Sequence, residues 1–354
     1  MAYTTINKSS DYFNTKLYTG NGSNGHAITG VGFQPDWVWL KNRSAGTAHV
    51  VVDAVRGNNK VLSPNNTEAE STTNANKDFR SFDSDGFTVD TNENYGSTNS
   101  NGANIAAWNW KAGTTSGITQ GGASITPSSY SINATSGFSI IKWTGTNANA
   151  TVPHGLGVAP KMIIIRRLES SSSWVVYHHS VGNTKRLTLD SDAAESGASA
   201  NWFNNTSPTA NVFSVGTDGG SNGSTDNYIA YCFAEKKGFS KFNSYTGNGN
   251  ADGTFVYTGF KPAFVLTKYS TSTSGWWQLQ DNKRDVDNPN SHALFANVAD
   301  SEYNLSNYHT DYLSNGFKLR NTQAGGNTNG GTYIYMAFAE APLVGSNGVT
   351  AKAR

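Results

Sequence analysis

The chain has 354 residues, with 26 basic and 25 acidic side chains, a formal net charge of +1 and only 14% charged residues, against roughly 25% in soluble proteins at large. That balance supplies no broad positive field for a phosphate backbone, so nucleic acid is excluded as a natural partner. No apolar run is long enough to span a bilayer, so membrane insertion is not expected either. Polarity comes from neutral Asn, Ser, Thr and Gly, and 9 Trp, 16 Tyr and 17 Phe supply the apolar content. Aromatics and Thr favour strands while Gly and Asn favour tight turns, so short strands joined by many loops are expected.

The opening Met1-Ala2-Tyr3-Thr4-Thr5 has neither a basic region nor an apolar segment. The expectation is a chain without a secretory signal, made and folded in a reducing cytoplasm. The single cysteine, Cys232, has no partner within the chain for a disulfide.

In chain order, the first strong signal is an aromatic-Thr-Gly step, Tyr18-Thr19-Gly20, followed 15 residues later by Pro35 and the apolar strand Asp36-Trp37-Val38-Trp39-Leu40-Lys41. The same step and interval recur at Trp143-Thr144-Gly145 with Pro160 and at Tyr245-Thr246-Gly247 with Pro262. Strands Lys161–Arg166 and Ala263–Lys268 follow those prolines, and each of the three ends in a cation. Tight-turn signals Asp85-Gly86-Phe87 and Asn315-Gly316-Phe317 lead into later strands, with Asn211-Val212-Phe213 in the middle copy. Each copy closes on an aromatic strand. Tyr228 to Glu235 matches Tyr333 to Glu340 at a constant offset of 105, and Ile105 to Trp110 is the looser counterpart.

The periodicity predicts an all-β chain of three tandem β-sandwich modules, jelly-roll or lectin-like, at 11–113, 137–237 and 238–342. A Gly/Ser/Thr-rich linker is expected over 114–136 and a C-terminal tail over 343–354. The polar stretch Asn66 to Asp78 offers room for one short helix.

The segment Phe13 to Gly22, followed by Gly32-Phe33-Gln34-Pro35-Asp36-Trp37-Val38-Trp39-Leu40-Lys41, resembles repeat modules of virion structural proteins of tailed bacteriophages. Gly137-Phe138-Ser139-Ile140 with His154 to Pro160, and Gly238 to Phe242 with Tyr245 to Gly249, carry the same resemblance. Such proteins are of the tail-fibre or capsid-surface type, and the family carries no catalytic signature to transfer. The resemblance implies a non-enzymatic virion component, synthesised in the host cytoplasm and needing no cofactor. Other capsid or tail proteins are its expected partners, with host-surface glycans and a homo-oligomeric state as further candidates.

Three sets of candidate residues stand beside that expectation. Asp53 and Arg56, and Asp281 and Arg284, recur at similar distances after Pro35 and Pro262, which favours structural ion pairs over a sugar site. Trp174, Trp276 and Trp277 are candidates for stacking on carbohydrate, and strand alternation should bury one of the Trp276/Trp277 pair and leave the other facing out. Glu235 and Glu340 are the best carboxylates for the alternative reading, a depolymerase, yet they hold equivalent places in separate modules rather than facing one bond. A catalytic pair is therefore not expected.

No metal site is expected. Asp83-Ser84-Asp85-Gly86 reads better as a hairpin than as a calcium loop, His154 as a structural turn residue, and His178 and His179, adjacent in a strand, point to opposite faces. The polar stretches Asn65 to Asp78, Ser191 to Ser207 and Asp285 to Asn307 are expected to reach outside partners, as loops on a rigid scaffold commonly do.

Overall fold

A computed structural model describes residues 3–72, 79–91, 97–119, 121–273, 275–345, 348 and 350. The protein is an all-β sandwich-type fold built from antiparallel sheets. Its first third contains β1 (Phe13–Thr19), β2 (His26–Thr29), β3 (Trp37–Asn42), β4 (Val50–Asp53), β5 (Lys60–Val61), β6 (Ser71–Thr72), β7 (Phe79–Asp83), β8 (Gly86–Val89) and β9 (Asn104–Trp110). The middle third contains β10 (Ser129–Asn133), β11 (Phe138–Thr144), β12 (Ala150–Pro153), β13 (Met162–Arg167), β14 (Val175–His178), β15 (Leu187–Thr188), β16 (Val212–Val215) and β17 (Asn227–Phe233). The last third contains β18 (Ser240–Thr246), β19 (Phe255–Tyr257), β20 (Phe260–Tyr269), β21 (Gln278–Asp281), β22 (His292–Phe295), β23 (Tyr303–Asn304), β24 (Thr310–Leu313), β25 (Gly316–Leu319) and β26 (Thr332–Pro342).

One strand order runs through all three parts. The large sheets contain β1-β9-β3-β4, β11-β17-β13-β14 and β18-β26-β20-β21, and smaller sheets β2-β8-β7, β12-β16 and β19-β25-β24 lie beside them. Each large sheet and its small sheet enclose a core of their own. In the first module Ile28, Val38, Leu40, Phe87 and Val89 pack together, and corresponding residues do so in the second and third.

The central strands show none of the in–out alternation of a half-wet sheet: every residue of Trp37–Asn42 is buried. The reason is a fourth core, shared by all three modules, which covers the outer face of each large sheet. Trp37 stacks on Tyr231 at 4.5 Å between ring centroids, Phe13 on Phe338 at 4.9 Å, and Phe233 meets Phe338 edge-on at 6.1 Å. Strands buried on both faces read as continuous apolar runs, as Met162 to Ile165 does.

The repeated Thr-Gly step has a steric origin. A side chain on Gly20, Gly145 or Gly247 would sit 2.2, 2.1 or 2.3 Å from the carbonyl oxygen of Ser100, Gly223 or Thr328. Beside each glycine a fully buried asparagine clamps the loop. Asn99, Asn222 and Asn327 accept from the backbone N–H of Asn21, Thr146 and Asn248 and donate to the carbonyls of Ser23, Ala148 and Asn250. These asparagines escape sequence reading because they stand among dozens of similar polar residues.

Two expectations need correction. The stretch 114–136 is not wholly linker: Ser129–Asn133 forms β10, which pairs with β11 as an edge strand of the second module. Its Ser-Tyr-Ser-Ile alternation suits a strand, and Ser131 is further fixed by donating to Asp36 at 3.0 Å. No helix occupies the described part of 66–78, where Ser71–Thr72 is strand instead, and residues 73–78 lie outside the described residues. The short α-helices fall elsewhere, at α1 (Ala200–Phe203) and α2 (Gly219–Asn222), each opened by a capping side chain, Ser199 and Asp218.

Candidate functional site

The modules meet head to tail at three interfaces that repeat one set of contacts. The cations ending the post-proline strands, Lys41, Arg166 and Lys268, are all buried. Lys41 donates to the Ala299 carbonyl at 3.1 Å, Arg166 to that of Glu68, and Lys268 to that of Asp192 at 2.8 Å. Burial lowers the Lys41 and Lys268 ammonium groups to about 8 and the Arg166 guanidinium to about 10. Beside each cation the backbone repeats the link: Glu302 N–H to Arg43, Glu70 N–H to Leu168 and Glu195 N–H to Ser270, at 3.0, 2.7 and 2.7 Å.

A second repeated contact comes from the residue just before β4, β14 and β21. His49 Nε2 meets the Phe295 carbonyl at 3.0 Å, Trp174 Nε1 donates to Ser63 at 3.0 Å and Trp277 Nε1 to Thr188 at 2.9 Å. Trp174 and Trp277 are each 1% exposed. That burial removes both from the carbohydrate-stacking reading, because neither ring face is open to a sugar. The indole of an apolar body with a polar tip fits a module interface well.

The ion pairs lie at a third repeated contact. Arg56 Nε is 2.5 Å from Asp53, and Arg284 Nε is 2.6 Å from Asp281, with all four side chains buried. Each aspartate also takes a bond from the next module: Tyr231 OH donates to Asp53 at 2.7 Å and Trp108 Nε1 to Asp281 at 3.0 Å. Burial alone would raise the Asp281 carboxyl, yet Arg284 and the bonds from Arg284 and Trp108 hold it below its ordinary value. In the second module His178 takes the place of aspartate, and its Nε2 meets the Tyr335 carbonyl at 3.3 Å. Its partner module offers Met336 at the position of Tyr231 and Trp108, with no side-chain proton to donate, so an aspartate there would lack that bond.

Glu235 and Glu340 are engaged separately. Glu235 lies 3.7 Å from Lys241, and Glu340 is held by Lys261 at 3.1 Å and Asn282 at 2.6 Å. Asp83 and Asp85 sit at the β7–β8 hairpin. Asp85 accepts from the backbone of Gly32 and Gly30, and these bonds lower its carboxyl. His154 accepts from Leu156 N–H and faces the Thr209 carbonyl, while His179 Nε2 meets the Phe242 carbonyl at 2.8 Å. Among the described residues no three His, Cys, Asp or Glu side chains converge as metal ligands.

Of the three candidate tryptophans, Trp276 keeps exposed surface: it is half-buried while Trp277 is buried. It leads into an aromatic cluster that, among the described residues, the first and second modules do not repeat. Trp276 packs edge-on against Phe295 at 4.8 Å, and Tyr303 and Tyr308 meet Phe295 at 5.6 and 5.3 Å. Tyr303 is oriented by donating to Asp300 at 2.8 Å, and that bond raises its phenol. Leu305, 47% exposed, extends the apolar surface. The equivalents of Trp276 in the first and second modules are Ala48 and Ser173. A rigid aromatic face edged by hydroxyls is suited to planar or ring-shaped ligands.

One family model, described as a domain of unknown function (DUF7483), matches residues 8–342. The chain belongs to that family. The match runs through all three modules as one unit and stops where the last strand ends. No curated protein and no solved structure matches the chain.

Proposed function

We propose that this chain is a non-enzymatic structural component of a bacteriophage virion surface, with capsid decoration ahead of a tail-associated place. The observation that carries the reading is the closed ring of three like modules in a single chain. Such a ring is a pseudo-trimer, and it suits a three-fold position on a shell. Other virion proteins are the proposed partners. Immunogold labelling of intact virions tests the reading. Label over the capsid is expected, label confined to the tail moves the protein there, and its absence from purified virions removes the reading.

A second element of the proposal is contact with host-surface glycans through Trp276, Tyr303 and Tyr308. Weak single contacts suffice because a particle displays many copies. The competing reading is a polysaccharide depolymerase. It requires two carboxylates flanking one bond, and the separate engagement of Glu235 and Glu340 weighs against that pair. Release of reducing ends from host polysaccharide by purified protein would favour the depolymerase, and binding without release favours the structural role. A host-encoded lectin is the remaining rival, and absence of the antigen from uninfected host cells would exclude it.

A further inference from the structure

Besides the exchange of aspartate for His178, the three interfaces differ at the free edge of the large sheet. On the second module, β10 covers the edge strand β11, with Ser131 opposite Ile140. On the third, side chains cap the edge strand β18: His179 reaches the Phe242 carbonyl at 2.8 Å and Glu235 faces the Phe242 N–H at 3.4 Å. The equivalent of Ile140 and Phe242 on the first module is Thr15, in β1. The stretch leading into β1 does not cover that edge. It runs to the junction of the second and third modules instead, where Thr4 Oγ1 donates to the Lys237 carbonyl and Tyr3 OH to that of Gly259.

The direction of the open groups follows from the ladder. Lys111 N–H bonds to Tyr12 and Gly20 N–H to Ala103, at 2.9 and 2.8 Å. Alternate residues from Tyr12 to Gly20 therefore face β9, and the N–H and C=O of Thr15 and Leu17 point away from the sheet. Among the described residues nothing bonds to those outward groups. Two adjoining cavities of about 210 and 270 Å³ lie along them, lined by Asn14 and Thr15 of β1 and by Lys283 of the third module. Lys16 and Leu17 continue one cavity, and Glu340 lies in the other. Glu340 is already neutralised by Lys261. Lys283 has no carboxylate within ion-pair distance among the described residues, so the cleft is net positive.

We propose that the free edge of β1 takes up an extended acidic segment of a partner protein as an added strand, in the place that β10 takes on the second module. Backbone bonds to Thr15 and Leu17 supply affinity, and Lys283 selects an acidic residue, as in strand addition to open sheet edges. This inference does not depend on where the protein resides.

The test uses the full chain and two capped octapeptides that alternate valine with aspartate or with lysine, plus an aspartate peptide with proline at its centre. Titration should show the aspartate peptide binding at least about tenfold tighter than the lysine one, and the proline peptide not binding. Thr15→Pro removes an outward N–H that carries no ladder bond, which an edge strand tolerates, and should abolish binding. Lys283→Glu should reverse the charge preference, and it decides the matter alone if Thr15→Pro does not fold. No binding of the aspartate peptide at millimolar concentration, equal binding of the proline peptide, or unchanged binding by Lys283→Glu would overturn the proposal.

Discussion

At the scale of single residues, buried polar groups define this molecule more than its surface does. His49 accepts from Trp39 Nε1 at 2.9 Å and faces the Phe295 carbonyl with its other nitrogen, so only the neutral ring satisfies both neighbours. Burial drives its basicity well down, and it lowers His178 to about 3 and His154 to about 4. The unfolded chain therefore binds more protons than the native one below the ordinary histidine value near 6.5. Stability should fall as pH drops from about 6.5 towards 4, by about 3 kcal/mol for His178 alone at pH 4. Thermal melts of His178→Asn should show a shallower acid dependence than the parent over that range, and identical slopes would contradict the assignment. Cys232, fully buried with its thiol raised by burial, should resist thiol reagents until the chain is denatured. The tryptophans separate by role. Trp174→Ala should cost about 3–5 kcal/mol of stability, whereas Trp276→Ala should reduce retention on host polysaccharide with a much smaller change in melting temperature. Loss of polysaccharide retention in Trp174→Ala at unchanged stability would reverse those roles.

Strands were legible from residues because the chain punctuates them. Proline, the Thr-Gly step and the aromatic closing strands locate β3, β13, β17 and β26 within a residue or two of their structural bounds, whereas β20 begins three residues earlier than expected, at Phe260. The ends in Lys41, Arg166 and Lys268 were visible too, but their purpose was not, because a cation at a strand end ordinarily faces water. For Trp174 and Trp277 the residues alone leave sugar stacking and a core or interface place both open, and the neighbouring module decides it by burying both. β10 was hidden by the composition around it, where glycine and serine dominate. The polar stretches are likewise not free loops throughout. Glu195 and Asp192 bond to the third module, and Phe203 packs in the second module's own core. Replacing Ser191 to Ser207 with a Gly/Ser linker should therefore lower stability measurably, and an unchanged melting curve would contradict a structural role for these contacts.

For the whole molecule, length and repetition predict three like units, but not the manner in which they close. The interfaces repeat their buried cations, yet at one position they differ, since Asp53, His178 and Asp281 each answer a different partner. Breaking one of these buried pairs should act on the ring as a whole: Arg284→Ala leaves Asp281 charged and buried and should cost about 3–5 kcal/mol. A central core drawn from all three modules leaves no module with its full set of buried faces when separated. The modules are thus expected to unfold together, unlike independent domains on a string. Differential scanning calorimetry of the full chain measures this directly. The closed ring predicts one transition whose van't Hoff and calorimetric enthalpies agree, and two or three separable transitions, or a 128–237 fragment, β10 included, that melts where the full chain does, would contradict it.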